Sequence, residues 1–196
     1  MALWGAAEGS EALPKFLTTA QQKDVYANQS GWVVEAGSAM TGNGNTSADP
    51  EILVAIGGLA GASGTTGLGE ATINTIDWNI TTFDKSAGGT LSVTVRYNET
   101  VTVAVSNPTI IVTNDTNSNH TLTYASGSGT HELTFTLVIA AANAATDADD
   151  VLSIAAQSIV LASSSTIKDT SDTPANAELA ISAGQGTACG TVTVVA

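Results

Sequence analysis

The sequence predicts an all-β chain, an antiparallel β-sandwich preceded by an extended N-terminal arm. Three observations lead there. From about Ala71 onward aliphatic residues alternate with Thr and Ser, and short apolar runs are bounded by Gly, Asn, Asp or Ser. No helical period is sustained over the roughly 120 residues that follow. β-Branched residues suit the inner faces of two packed sheets, with hydroxyls turned outward, so charges become rare.

The elements follow in order. Residues 1–50 hold Trp4, Phe16, Tyr26 and Trp32, four of the nine aromatics, spaced by small residues without a sustained period. A capping box at Thr19 and Gln22 predicts one short helix reaching about Ala27. The remaining anchors, Leu3, Leu13, Leu17, Val25, Val33 and Val34, complete an arm that buries its apolar side chains on a neighbouring molecule. The partner-binding set is therefore Leu3, Trp4, Leu13, Phe16, Leu17, Tyr26, Trp32, Val33 and Val34. Each large aromatic buries about 150–250 Å² in such a contact.

Residues 41–50 (TGNGNTSADP) are turn formers and read as a linker. Residues 51–70 read as one strand, Glu51 to Leu59, running into a Gly-rich loop. Residues 71–196 form the sandwich. Its clearest strand places Leu91, Val93, Val95 and Tyr97 on one face and Ser92, Thr94, Arg96 and Asn98 on the other. Val101, Val103 and Val105 continue it after a kink at 98–100. Further strands are expected at 71–83, 109–113, 121–125, 133–139, 151–161, 178–182 and 191–195, with a single helical turn at Ala140 to Ala145.

Composition narrows the function. Five bases against 18 acids give a net charge of −13, which leaves no basic stripe to displace counterions from phosphates, so nucleic acid is not an expected partner. Anionic lipid would repel the same surface, and no apolar run approaches the roughly 20 residues that span a bilayer. The first 25 residues carry Glu8, Glu11 and Pro14 in place of a basic start and apolar block, so synthesis in the cytosol is expected. Cys189 is the single cysteine, which excludes an intrachain disulfide and a four-thiolate zinc site.

No catalytic constellation emerges, and the chain is expected not to be an enzyme and to need no cofactor. His120 and His131 are the two histidines. The segment around Ser126 superficially resembles a nucleophile elbow, but strands flank it on both sides and it reads as a hairpin turn. The glycines at 57–69 lack the lysine of a phosphate-binding loop. Asp147, Asp149 and Asp150, and separately Asp169 and Asp172, could offer oxygens to Ca²⁺, yet neither group has EF-hand spacing and solvated loop acids are the simpler expectation. Six Asn-x-Ser/Thr triplets, at Asn28, Asn45, Asn79, Asn98, Asn114 and Asn119, reflect composition.

Two stretches resemble known families. Residues 74–185, through LSVTVRYNETVTV (91–103), TLTYASGSGTHELTFTLVIAA (121–141), DADDVLSI (147–154) and SSTIKDTSDTPANAEL (164–179), resemble a bacterial immunoglobulin-like repeat of the cell-surface swimming-protein type. The opening, MALWGAAEGSEALPKFLT with QKDVYANQSGWVVEAGS, resembles the head of virion structural proteins of contractile-tailed marine phages of cyanobacteria. The resemblance implies an immunoglobulin-like sandwich on a non-enzymatic virion protein, first of all a capsid decoration protein. It implies other virion structural proteins as partners, namely the major capsid protein or neck and tail subunits, with self-association in multiple copies. Alternatives are a neck or tail component, or an adsorption module that binds host-surface glycans.

Overall fold

The computed structural model describes residues 13–60, 67–105, 107–162, 164–171 and 173–196. A 3₁₀ turn at Gln21–Asp24 leads into β1 (Val25–Asn28), β2 (Gly31–Val34) and β3 (Glu51–Ala55). Then come β4 (Ile73–Trp78), β5 (Thr82–Asp84), β6 (Gly89–Ala104), β7 (Thr109–Asn114), β8 (His120–Ser126) and β9 (Thr130–Ile139). The chain ends through β10 (Val151–Ser153), β11 (Gln157–Ser158), β12 (Thr166–Asp169), β13 (Ala180–Ile181), α1 (Ala183–Cys189) and β14 (Thr191–Val195).

The all-β expectation holds. One sheet runs β3-β2-β1-β6-β9-β8-β7-β10-β14-β5, with β4 and β12 also paired to β6. It is mixed where an antiparallel sheet is expected: β14 pairs β5 in parallel, and β1 meets β6 in parallel at Ala27 and Glu99. One hydrophobic cluster takes Ile76 from β4, Phe83 from β5, Val93 and Tyr97 from β6, Ile110 from β7, Phe135 from β9 and Val194 from β14. Strands far apart in the pairing order share that core, so the sheet wraps around it and closes over its own apolar face.

β6 is the spine because its period-2 pattern is the longest in the chain. Leu91, Val93, Val95 and Tyr97 are all buried, as the alternation predicts. The expected kink at 98–100 is a bulge within a continuous strand, where the register to β9 jumps between Arg96 and Val101. The predicted hairpin also forms, with β8 and β9 pairing across residues 127–129.

The first fifty residues depart from expectation. From Val25 on they are folded, not extended: β1, β2 and β3 form an antiparallel unit with its own small core of Leu17, Val25, Ala27, Trp32, Val34, Val54 and Leu59. Short strands gain stability from the face they bury, and this unit supplies that face itself. Gly31 permits the approach of β2 to β3, since its φ of 132° suits glycine and a methyl there would overlap the Val54 carbonyl oxygen. The box expected at Thr19 is formed one residue earlier, with Thr18 Oγ1 accepting from the Gln21 amide at 3.3 Å while Gln21 Oε1 accepts from the Thr18 amide at 2.9 Å.

Residues 140–145 form turns, not the expected helical turn. The α-helix among the described residues is α1, opened by a reciprocal capping box of Ser182 and Gln185. The expected strands at 71–83 and 151–161 are each interrupted, giving β4 with β5 and β10 with β11.

Candidate functional site

Two faces of β1 and β2 lead to the site. Val25 pairs with Val34 and Ala27 with Trp32, which turns these four toward the small N-terminal core. Tyr26 pairs with Val33 on the opposite face. There the Tyr26 ring stacks on His131 of β9, centroids 4.3 Å apart and planes within 12°.

The residues predicted to bind a partner are thus distributed. Leu17, Trp32, Val33 and Val34 are buried within the chain itself, which corrects their assignment as intermolecular anchors. Leu13 packs half-buried against the N-terminal core, Tyr26 is occupied by His131, and Phe16 is 57% exposed. Leu3 and Trp4 lie outside the described residues.

A cleft of about 270 Å³ opens beside the Tyr26–His131 stack, lined by Glu35, Ala36, Thr46, Thr100, Thr130 and Glu132 among others. β2 delivers Glu35, which follows it directly and whose amide donates to the Asp24 carbonyl at 2.8 Å. The β8–β9 hairpin delivers His131 and Glu132, held by Thr130 Oγ1, which donates to the Gly127 carbonyl at 2.8 Å. His131 is buried, and its Nε2 lies 3.7 Å from Glu35 Oε2 and 3.4 Å from the Lys23 carbonyl oxygen. One ligand atom each from Glu35, His131 and Glu132 falls within 4.8 Å of the other two.

The electrostatics of the cleft follow from partial burial and crowding of carboxylates. Burial first, then Glu132 and Asp24, push the Glu35 carboxyl up to about 7, with Arg96 pulling the other way. Burial also lowers the pKa of His131, so its ring favours the neutral form. Arg96 is committed elsewhere: Nε donates to Glu132 at 2.5 Å and Nη1 to Asp77 at 2.6 Å, and Lys23 pairs with Asp77 too.

Of the acids singled out for Ca²⁺, Asp147, Asp150 and Asp169 have other tasks. Asp150 is buried and accepts from Asn114 Nδ2 at 2.7 Å, Asn117 Nδ2 at 3.0 Å and the Asp147 amide at 2.8 Å, and from Thr116 Oγ1. Burial alone would raise its pKa, but these four donors together hold it well below the carboxylate range. Asp147 pairs with Lys85, while Asp169 accepts from the Ser171 and Ala175 amides, both at 3.0 Å. Asp172 lies outside the described residues. These carboxylates tie loops to the sheet.

In the sequence His131 is one of two histidines, and no local pattern marks Glu35 as its partner. The His131-Glu132 dipeptide at a strand start was the one local signal. Comparison of the chain with protein-family models, with curated proteins and with solved structures finds no match to any of them.

Proposed function

We propose that the chain is a non-enzymatic virion structural protein, most specifically a capsid decoration protein docked through its N-terminal unit and displaying an immunoglobulin-like domain. The observation that supports this is the outer edge of β3. Among the described residues β3 pairs only with β2, and Ile52 on it is 58% exposed. A strand edge of this kind presents backbone donors and acceptors in register for another chain, and an apolar side chain beside it adds burial to the contact. Phe16, in the same N-terminal stretch, is a second exposed large apolar side chain.

The partners are other virion structural proteins, with the protein present in many copies. Repetition suits a contact of modest size, because adjacent copies on one shell reinforce each other through avidity. The acidic surface selects a neutral or basic partner patch.

The experiment is localisation. Antibody labelling and mass spectrometry of purified particles are expected to find many copies distributed over the capsid. Label confined to the neck or tail would move the placement there, and particles without the protein would refute the reading. Phe16→Ser combined with Ile52→Lys, in a chain of unchanged circular dichroism, is expected to lower loading at least about tenfold, the effect of removing buried anchors from a docking surface.

A further inference from the structure

We propose that Glu35, His131 and Glu132 bind one divalent transition-metal ion, with Zn²⁺ the ion their chemistry fits best. Three potential ligand atoms, one imidazole nitrogen and two carboxylate oxygens, already converge within 4.8 Å of one another. Metal–ligand distances near 2 Å place the donors of one ion about 3–3.5 Å apart, so small side-chain rotations complete the set. A mixed nitrogen and oxygen set of three, open to a cleft of about 270 Å³, leaves room for water or a small anion at the remaining position.

Two further features favour a cation at this place. His131 is 4% exposed and its ring is clamped by Tyr26 at 4.3 Å, so the imidazole is oriented before any ligand arrives. The charges facing the cleft are also out of balance. Among the described residues the charged side chains that line it are Glu35 and Glu132, and the nearby Arg96 is shared between Glu132 and Asp77. Among the described residues Glu35 has no ion-pair partner other than His131. A dication would supply the missing charge and join β2 to β9.

The site would link the N-terminal unit to the wrapped sheet, so binding has a structural readout as well as a direct one. The full chain, freed of metal by chelation, is titrated with ZnCl₂ by calorimetry near neutral pH, and its melting temperature is followed in parallel. One saturable site per chain is expected, with a melting temperature that rises with Zn²⁺ because the ion binds the folded form. His131→Gln and Glu35→Gln should each weaken binding at least about tenfold, whereas His120→Gln should leave it unchanged.

No saturable uptake by the intact protein would overturn the proposal, as would uptake that persists in both site variants or that disappears with His120→Gln. If His131→Gln fails to fold, Glu35→Gln carries the test, since that side chain is 35% exposed and borders solvent. Cobalt supplies an independent readout. Co²⁺ bound by this set should give the intense visible bands of a four- or five-coordinate ion, and only the pale spectrum of hydrated cobalt would count against the site.

Discussion

Glu99 is 1% exposed where β1 meets β6, and its Oε1 accepts no hydrogen bond among the described residues. Burial, then the nearby Asp169 carboxylate, push its carboxyl up to about 7. The folded state therefore holds this proton more tightly than the unfolded chain, where a glutamate titrates near 4.3. The stability it contributes is complete below that value and is lost as pH rises through about 7. Glu35 acts in the same direction, more weakly because water reaches the cleft. His120 and His131 act oppositely: burial lowers their pKa values, so their contribution fades as pH falls below about 6.5. Glu99→Gln keeps the shape of the protonated acid without its charge. In urea melts at pH 8 it should be more stable than the parent by on the order of 2 kcal/mol, with the difference closing near pH 5. A variant less stable at pH 8 would mean that the ionised carboxylate is well solvated. Gly31→Ala should cost about 1–3 kcal/mol, because it joins a positive φ to a methyl facing the Val54 carbonyl; the same melts would register it.

At the scale of elements, Trp32 is the largest side chain among the described residues in the core of the unit formed by β1, β2 and β3. It is 1% exposed there, so Trp32→Ala should cost about 3–5 kcal/mol and loosen these strands before the rest. Hydrogen exchange would show the order, with amides of 25–34 losing protection while those of β6 and β9 keep it. Removing the α1 cap by Ser182→Ala should cost about 1 kcal/mol. β6, β8 and β9 were legible because their alternation is local and strong, and turn residues flank it. α1 was not, because Gly184 and Gly186 depress helix propensity; Gly186 is there because a side chain would collide with the Ile154 carbonyl oxygen. The N-terminal unit reads as an arm in the sequence because its core residues, from Leu17 to Leu59, share no local period and come together only when β3 pairs with β2 across residues 35–50. The cleft was hidden for the same reason: Glu35 and Tyr26 meet His131 only once β1 has docked on the sheet.

For the whole molecule, charge and apolar surface have separable duties in any docking. In the docking proposed above, the net charge of −13 would act over the distance of a Debye length and govern encounter, whereas Phe16, Ile52 and the β3 edge would act on contact and govern residence. Raising salt from about 0.1 M to about 1 M shortens the Debye length from about 10 Å to about 3 Å, which removes steering and leaves apolar burial intact. Loading onto depleted particles should then slow with salt, while release of protein already bound stays nearly constant. Phe16→Ser with Ile52→Lys should do the reverse, speeding release at either salt concentration with a smaller effect on the rate of loading. Time courses of a fluorescently labelled chain on particles separate the two. Release that accelerates with salt as strongly as loading slows would show that ion pairs, not the strand edge and its apolar neighbours, hold the protein in place.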